Sequence, residues 1–296
     1  MSHKDNRSKQ GIVLAIPYLI PSTALFIIFI FYPLLKTIYI SFFLTDITGN
    51  AVKFAGFSNY ARLVRSEVFV NSLLVSLKFI VLTVPATLVV SLAIALLAYT
   101  KTGSGKAYRL FMGITIAVST AEASTIWVLL YQKSTGVYNY FLSFLGLPQL
   151  DWLTSTGLAL PSIAVMTIWL FTGFHSTVLL SGLQNIPGEL YEGADIDGSG
   201  YFHKVVHITL PMLSPTMFYC LIISTISAFQ AFTQFNIMTQ GGPSDSTNSI
   251  VHSLYREAFI NFRFGQASAM AVVLLAIIFT VTLVQITGTE KRVFYQ

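Results

Sequence analysis

Residues 73–98 read LLVSLKFIVLTVPATLVVSLAIALLA, with one charged side chain, Lys78. As a helix rising 1.5 Å per residue this run is about 39 Å long, more than the roughly 30 Å hydrocarbon core of a bilayer. Lys78 lies close enough to one end for its stem to carry the ammonium to the headgroups. The stretch is a membrane-spanning helix, and that reading decides the fold.

Working outward, the same pattern recurs at about 12–35, 108–131, 158–182, 211–235 and 267–287, making six spans. Composition agrees. The chain has 296 residues, 54% hydrophobic and only 10% charged. A soluble domain of this size carries about 25% charged residues. We expect an all-α integral membrane protein, one domain over 1–296, with six transmembrane helices. The first run follows MSHKDNRSKQ and continues through Leu14, Phe26, Ile30 and Tyr32. It is longer than a secretory signal core and is read as a retained span. Pro17, Pro21 and Pro33 interrupt it, as membrane helices tolerate. The lone Cys220 lies in an apolar run and cannot form an internal disulfide.

The net charge of +5 does not point to nucleic acid, because the basic residues flank the apolar runs. With the N-terminus in the cytoplasm, Lys4, Arg7, Lys9, Lys101, Lys106, Arg109, Lys204, Lys291 and Arg292 fall inside. Lys53, Arg62, Arg65, Lys133, Arg256 and Arg263 fall outside, in the longer segments 36–72, 132–157 and 236–266. Short basic loops inside predict cytoplasmic N- and C-termini. The outer segments hold aromatics and glycines, so ordered caps are expected.

KTGSGKA at 101–107 is a partial phosphate-loop pattern only. Thr100 stands where a glycine is needed, and Ala107 where a magnesium-holding hydroxyl is needed. It is read as a flexible basic turn, so any ATP is bound by another chain.

ELYEGADIDGSG at 189–200 holds four of the twelve acids, Glu189, Glu192, Asp195 and Asp197, between spans four and five. Pro187 suits a helix start, and Glu189 complements the positive helix end. The spacing predicts a short helix over 188–196, ended by Gly198 in a left-handed conformation. Ser199 is then expected to cap a second short helix through Tyr201, Phe202, Val205 and Val206, and Pro211 to open span five. Physically this is either a protruding docking element, with Gly193 and Ala194 permitting close approach, or a solvated loop.

EGADIDGSGYFHKVVHITLP at 192–211 resembles the cytoplasmic EAA loop (184–211) of ABC importer permeases. The matching positions are Glu192, Gly193, Ala194, Asp197, Gly198, Ile208, Leu210 and Pro211. Gly193 replaces the usual alanine, and Val205 stands where an aromatic is common. FAGFSNYARL (54–63), LQNIPGELYEGA (183–194), MTQGGPSDST (238–247) and LYREAF (254–259) resemble the carbohydrate and glycerol-3-phosphate branch. Among those permeases the chain is similar to a shorter, six-span version of the maltose transporter's larger membrane subunit. The resemblance implies a type I ABC importer permease fold and a non-enzymatic subunit of a sugar or polyol importer in a bacterial or archaeal plasma membrane. It implies a second permease subunit, two ATPase subunits that bind ATP and Mg, and an extracytoplasmic binding protein. Glu189, Glu192, Gly193, Ala194, Asp197 and Gly198 would couple to the ATPase.

Polar residues at membrane depth are costly and mark solute paths or helix contacts. Ser224, Ser227, Gln230 and Gln234 are spaced 3, 3 and 4, which is one helical face of span five. The resemblance places solute contact just before the GGP loop, which puts Phe229, Gln230 and Thr233 first among the path candidates; Ser227 and Gln234 of the stripe and Glu122 of span three complete them. Glu122 is the one carboxylate within a span; a structural or gating role, at the cavity, a subunit interface or the outer edge, is preferred to solute binding. His175 is assigned to packing, since no second ligand at metal spacing adjoins it. A glycerol-3-phosphate or phosphodiester importer is the alternative. An ion-coupled transporter would need midplane ionisable pairs, and an intramembrane enzyme would need a catalytic constellation; neither assembles from Cys220, His175 and Glu122.

Overall fold

A computed structural model describes residues 18–99 and 103–289. Lys4, Arg7, Lys9, Pro17, Lys101, Lys291, Arg292 and part of the 101–107 turn lie outside the described residues. Among the described residues five helices are long and apolar enough to cross a membrane, or six if one sharply bent pair counts as a single span. The chain forms two compact units, Met1–Arg65 with Leu254–Val273, and Ser66–Ser253 with Leu274–Gln296.

The first unit begins with α1 (Tyr18–Ile40). Its apolar window has no residue buried by the chain itself. Despite Pro21 and Pro33 the helix is continuous. A π turn at Ile27–Phe31 lets the Tyr32 N–H reach the Ile27 carbonyl just before Pro33, which accommodates a residue that cannot donate. A two-stranded hairpin follows, β1 (Phe43–Thr45) antiparallel to β2 (Ala51–Phe54). The Asp46 carboxylate holds its turn, accepting from Thr48 Oγ1 at 2.7 Å and Asn50 N at 2.8 Å. The amphipathic α2 (Ser58–Arg65) packs back through Asn59, whose Nδ2 donates to the carbonyls of Ser41 and Phe43.

The second unit carries the core. Helices α3 (Glu67–Tyr99), α4 (Gly103–Ala117), α5 (Thr120–Leu130), α6 (Val137–Phe144) and α7 (Ala159–Gln184) precede the short α8 (Gly188–Ile196). Then come α9 (Tyr201–Phe229) and α10 (Thr233–Met238); α11 (Ile250–Tyr255) and α12 (Phe264–Thr289) follow in the chain and are each divided between the two units, after Ser253 and after Val273. Helices α3 and α7 are bound by reciprocal bonds at membrane depth. Ser91 Oγ donates to the Thr172 carbonyl at 3.3 Å, and Ser176 Oγ donates to the Ser91 carbonyl at 3.1 Å. Small residues let the helices approach closely: a Cβ on Gly182 would lie 2.7 Å from Leu213 Cδ1.

The segments 132–157 and 236–253 of this unit are ordered. Asn139 on α6 is a hub. Its Nδ2 donates to the Lys133 and Leu150 carbonyls, and its Oδ1 accepts from the Leu150 N–H and Trp152 Nε1. In the GGP loop Thr247, Asn248 and Ser249 are buried. Ser249 Oγ donates to the Ala231 carbonyl, and the Ile250 N–H to Ser76 Oγ.

Four expectations require correction. The third span is not one straight helix: α4 and α5 meet at 105°. Ser119 caps α5 in a capping box, with its hydroxyl accepting from the Glu122 N–H and the Glu122 carboxylate accepting from the Ser119 N–H. Span five starts earlier and stops sooner than 211–235. It runs unbroken from Tyr201, because a π turn at Val205–Thr209 joins the Leu210 N–H to the Val205 carbonyl ahead of Pro211, the device also used before Pro33. The second short helix is therefore the foot of span five, and Gly200, rather than Ser199, occupies its cap position. Finally, GSGK belongs to the start of α4 from Gly103 onward.

Candidate functional site

Helix α8 stands out from the bundle. Glu189, Glu192, Gly193, Asp197 and Gly198 are exposed and Ala194 is half-buried. A Cβ built on Gly193 would meet nothing within 4 Å. The helix ends in a Schellman motif, with Gly198 at φ 72°. The Ser199 N–H reaches the Ala194 carbonyl at 2.9 Å, and the Gly198 N–H reaches that of Asp195 at 3.1 Å. The acids keep this knuckle in water while its terminus is fixed, a combination suited to seating in a cleft of another protein.

At the opposite level, helix α9 stops at Phe229, and this breaks the polar stripe. The Gln230 N–H still reaches the Ile226 carbonyl, but the chain turns at 230–232 and restarts as α10 with the Asn236 N–H on the Phe232 carbonyl. Ser227 and Gln234 therefore do not share one helical face. Phe229 and Gln234 are turned into the protein, 2% and 4% exposed. Gln230 is exposed and Thr233 half-buried. Glu122 is exposed at the bend, engaged with Ser119 rather than placed along a span.

Of the six path candidates Ser227 alone lines a cleft at the bend. This open cleft of ≈ 550 Å³ is walled by Thr115, Ser119, Thr120, Phe171, Phe174 and His175 with apolar neighbours. No lysine, arginine, aspartate or glutamate lines it. Aromatic faces beside hydroxyls suit a neutral polyhydroxy solute, stacking on the rings and hydrogen bonding at the rim. Behind it Thr83, Thr87, Thr167, His175 and Ser224 close around a cavity of ≈ 20 Å³, about one water in size. His175 Nε2 lies 2.9 Å from Ser224 Oγ, so Ser224 joins helices within the chain. Among the described residues no group of three His, Cys, Asp or Glu side chains gathers to hold a metal.

Sequence reasoning missed Thr115, Thr120, Phe171 and Phe174. One signal was present: Ser119-Thr120-Ala121-Glu122 is a capping-box pattern, which marks a helix start inside the supposed third span. The turn at 230–232 carries no glycine or proline and left no comparable mark.

The family described as "Binding-protein-dependent transport system inner membrane component" matches the chain over residues 11–293. The chain is 34% identical to the sulfoquinovosyl glycerol transport system permease protein SmoG of Agrobacterium fabrum, over 92% of this chain and 89% of that one. It is 32% identical to the sn-glycerol-3-phosphate transport system permease protein UgpA of Agrobacterium fabrum, over 95% and 96%. In fold it is similar to a chain of a bacterial alginate ABC transporter crystallised with an alginate pentasaccharide-bound periplasmic protein. The TM-score is 0.84 at 22% identity, over 98% of each chain. The exposed knuckle, the helical membrane body and these matches lead to one conclusion: the chain belongs to the inner membrane components of binding-protein-dependent transport systems, the permeases of ABC importers.

Proposed function

We propose that this chain is one of two permease halves of an ATP-driven importer that carries a sugar or related polyol inward by alternating access. ATP and Mg are bound and used by two separate ATPase subunits, and an extracytoplasmic binding protein delivers the solute. The N- and C-termini are cytoplasmic, and so is α8. The observation that carries this reading is α8 itself, a capped helix whose acidic and small residues are exposed between two spans. Closure of the ATPase pair moves the clefts that hold α8 and its counterpart, and the bundle follows from inward- to outward-facing. The bare apolar surface of α1 supports a second membrane subunit as its neighbour.

The uncharged lining of the cleft supports a neutral solute. The likeness to UgpA supports a second reading, sn-glycerol-3-phosphate or a related phosphodiester. Competition for labelled uptake by neutral glycosides and by glycerol-3-phosphate separates the two.

The coupling role is tested by Glu192→Lys in the assembled transporter. The variant is expected to insert normally and to lose solute uptake. An unchanged uptake rate would refute it.

A further inference from the structure

Helix α8 is joined to α9 through Gly198, Ser199 and Gly200. The Schellman bonds tie Gly198 to α8, which leaves Gly200 as the pivot between the two helices. A push on α8 would be absorbed there unless a second tie bypassed the linker. One such tie is present. The Tyr191 hydroxyl lies 3.0 Å from Thr209 Oγ1. Thr209 is 3% exposed and closes the π turn at the foot of α9. Its hydroxyl also lies 3.3 Å from the Lys204 carbonyl, so Thr209 Oγ1 can donate there while accepting from Tyr191. The Tyr191 ring rests against the cluster containing Leu183, Ile186 and Leu213, which holds the hydroxyl in place. A second contact, Lys204 Nζ to Asp195 Oδ1 at 2.6 Å, is partly exposed, with Asp195 62% accessible. Exposed ion pairs are worth little, so the buried end of the hydroxyl pair is the stiffer link.

We propose that Tyr191 and Thr209 are positioning residues that form a strut, carrying displacement of α8 past the glycine linker directly into the base of α9. The inference rests on the coupling role proposed above.

The test uses the assembled transporter in proteoliposomes, in a Cys220→Ala background with Ser227→Cys as reporter. Labelling of the reporter by an impermeant maleimide, added from the binding-protein side, is timed with and without AMP-PNP and Mg²⁺. Nucleotide is expected to accelerate labelling when the strut is intact. Tyr191→Phe and Thr209→Ala should each cut that acceleration about fivefold, the scale of one lost hydrogen bond, while ATP hydrolysis continues. Thr209→Ser should restore it. Full acceleration in both variants overturns the strut. So does failure of both to assemble with the ATPase subunits, which would make the bond a folding element. No acceleration with the strut intact would instead overturn the alternating-access reading itself.

Discussion

His175 on α7 and Ser224 on α9 are both buried, with ring nitrogen and hydroxyl 2.9 Å apart. The other ring nitrogen, Nδ1, has no hydrogen-bond partner among the described residues, and the adjacent cavity of ≈ 20 Å³ has room for about one water. Hydrogen bonds between membrane helices average about 0.6 kcal/mol and reach about 1.7. Ser224→Ala is therefore expected to lower stability by about 1 kcal/mol and leave assembly intact. Reversible unfolding in mixed micelles measures the first, and co-purification of the subunits measures the second. Loss of assembly would move Ser224 from this internal contact to a subunit interface.

The bend between α4 and α5 rests on the reciprocal bonds of Ser119 and Glu122. Losing an N-cap hydroxyl costs about 0.5–2 kcal/mol. Ser119→Ala should accelerate amide exchange at the start of α5 by about fivefold. Glu122→Gln, which keeps an acceptor, should change it less than Glu122→Ala. Equal exchange in all three would show that packing alone holds the bend.

Two glycines make opposite predictions. A Cβ on Gly173 would collide with the Thr115 hydroxyl and lie 2.7 Å from the Met112 carbonyl, where α4 and α7 touch. Overpacking of this kind costs about 1–3 kcal/mol, so Gly173→Ala should lower the unfolding midpoint. Gly193 has open space around it, and alanine gains about 1 kcal/mol over glycine inside a helix. Gly193→Ala should stiffen α8 without harming the isolated chain. Any loss it causes should appear only as weaker engagement of the ATPase subunits, read by co-purification.

In the hairpin, the Thr48 hydroxyl, ahead of the Asn50 N–H, holds the Asp46 carboxyl down to about 2. A depressed carboxylate pKa adds stability above the unfolded value, lost as pH falls through the folded one. The β1–β2 turn should therefore be insensitive to pH from neutrality to about 4 and loosen between about 4 and 2. Amide exchange at Thr48 and Asn50 across that range checks the sign. Asp46→Ala should remove the dependence.

Much of the knuckle was legible because its signals are local. Helix α8 begins after Pro187 and ends before Gly198 where proline and a left-handed glycine dictate. Ser199 was misplaced as a cap because the chain pauses one residue longer before the foot of α9. Pro211 was read as a boundary because proline removes a donor. The π turn at Val205–Thr209 supplies a shifted pairing that no propensity scale contains.

The polar stripe failed for a different reason. Periodicity assumes an unbroken helix, and nothing in Gln230, Ala231 or Phe232 forbids continuation. The turn is held by long-range contacts, among them Ser249 Oγ on the Ala231 carbonyl. That bond spans two segments distant in sequence. The same holds for the cleft, whose walls come from α4, α5, α7 and α9.

By itself the sequence determined which segments leave water and where the acidic knuckle begins and ends. Those properties follow from hydropathy and backbone preference, read a few residues at a time. Tertiary structure decided where α9 stops, and that Ser227 faces a cleft while Phe229 and Gln234 turn inward. Each of those outcomes depends on how helices far apart in the chain register against one another, and that energy is shared between segments rather than stored in either.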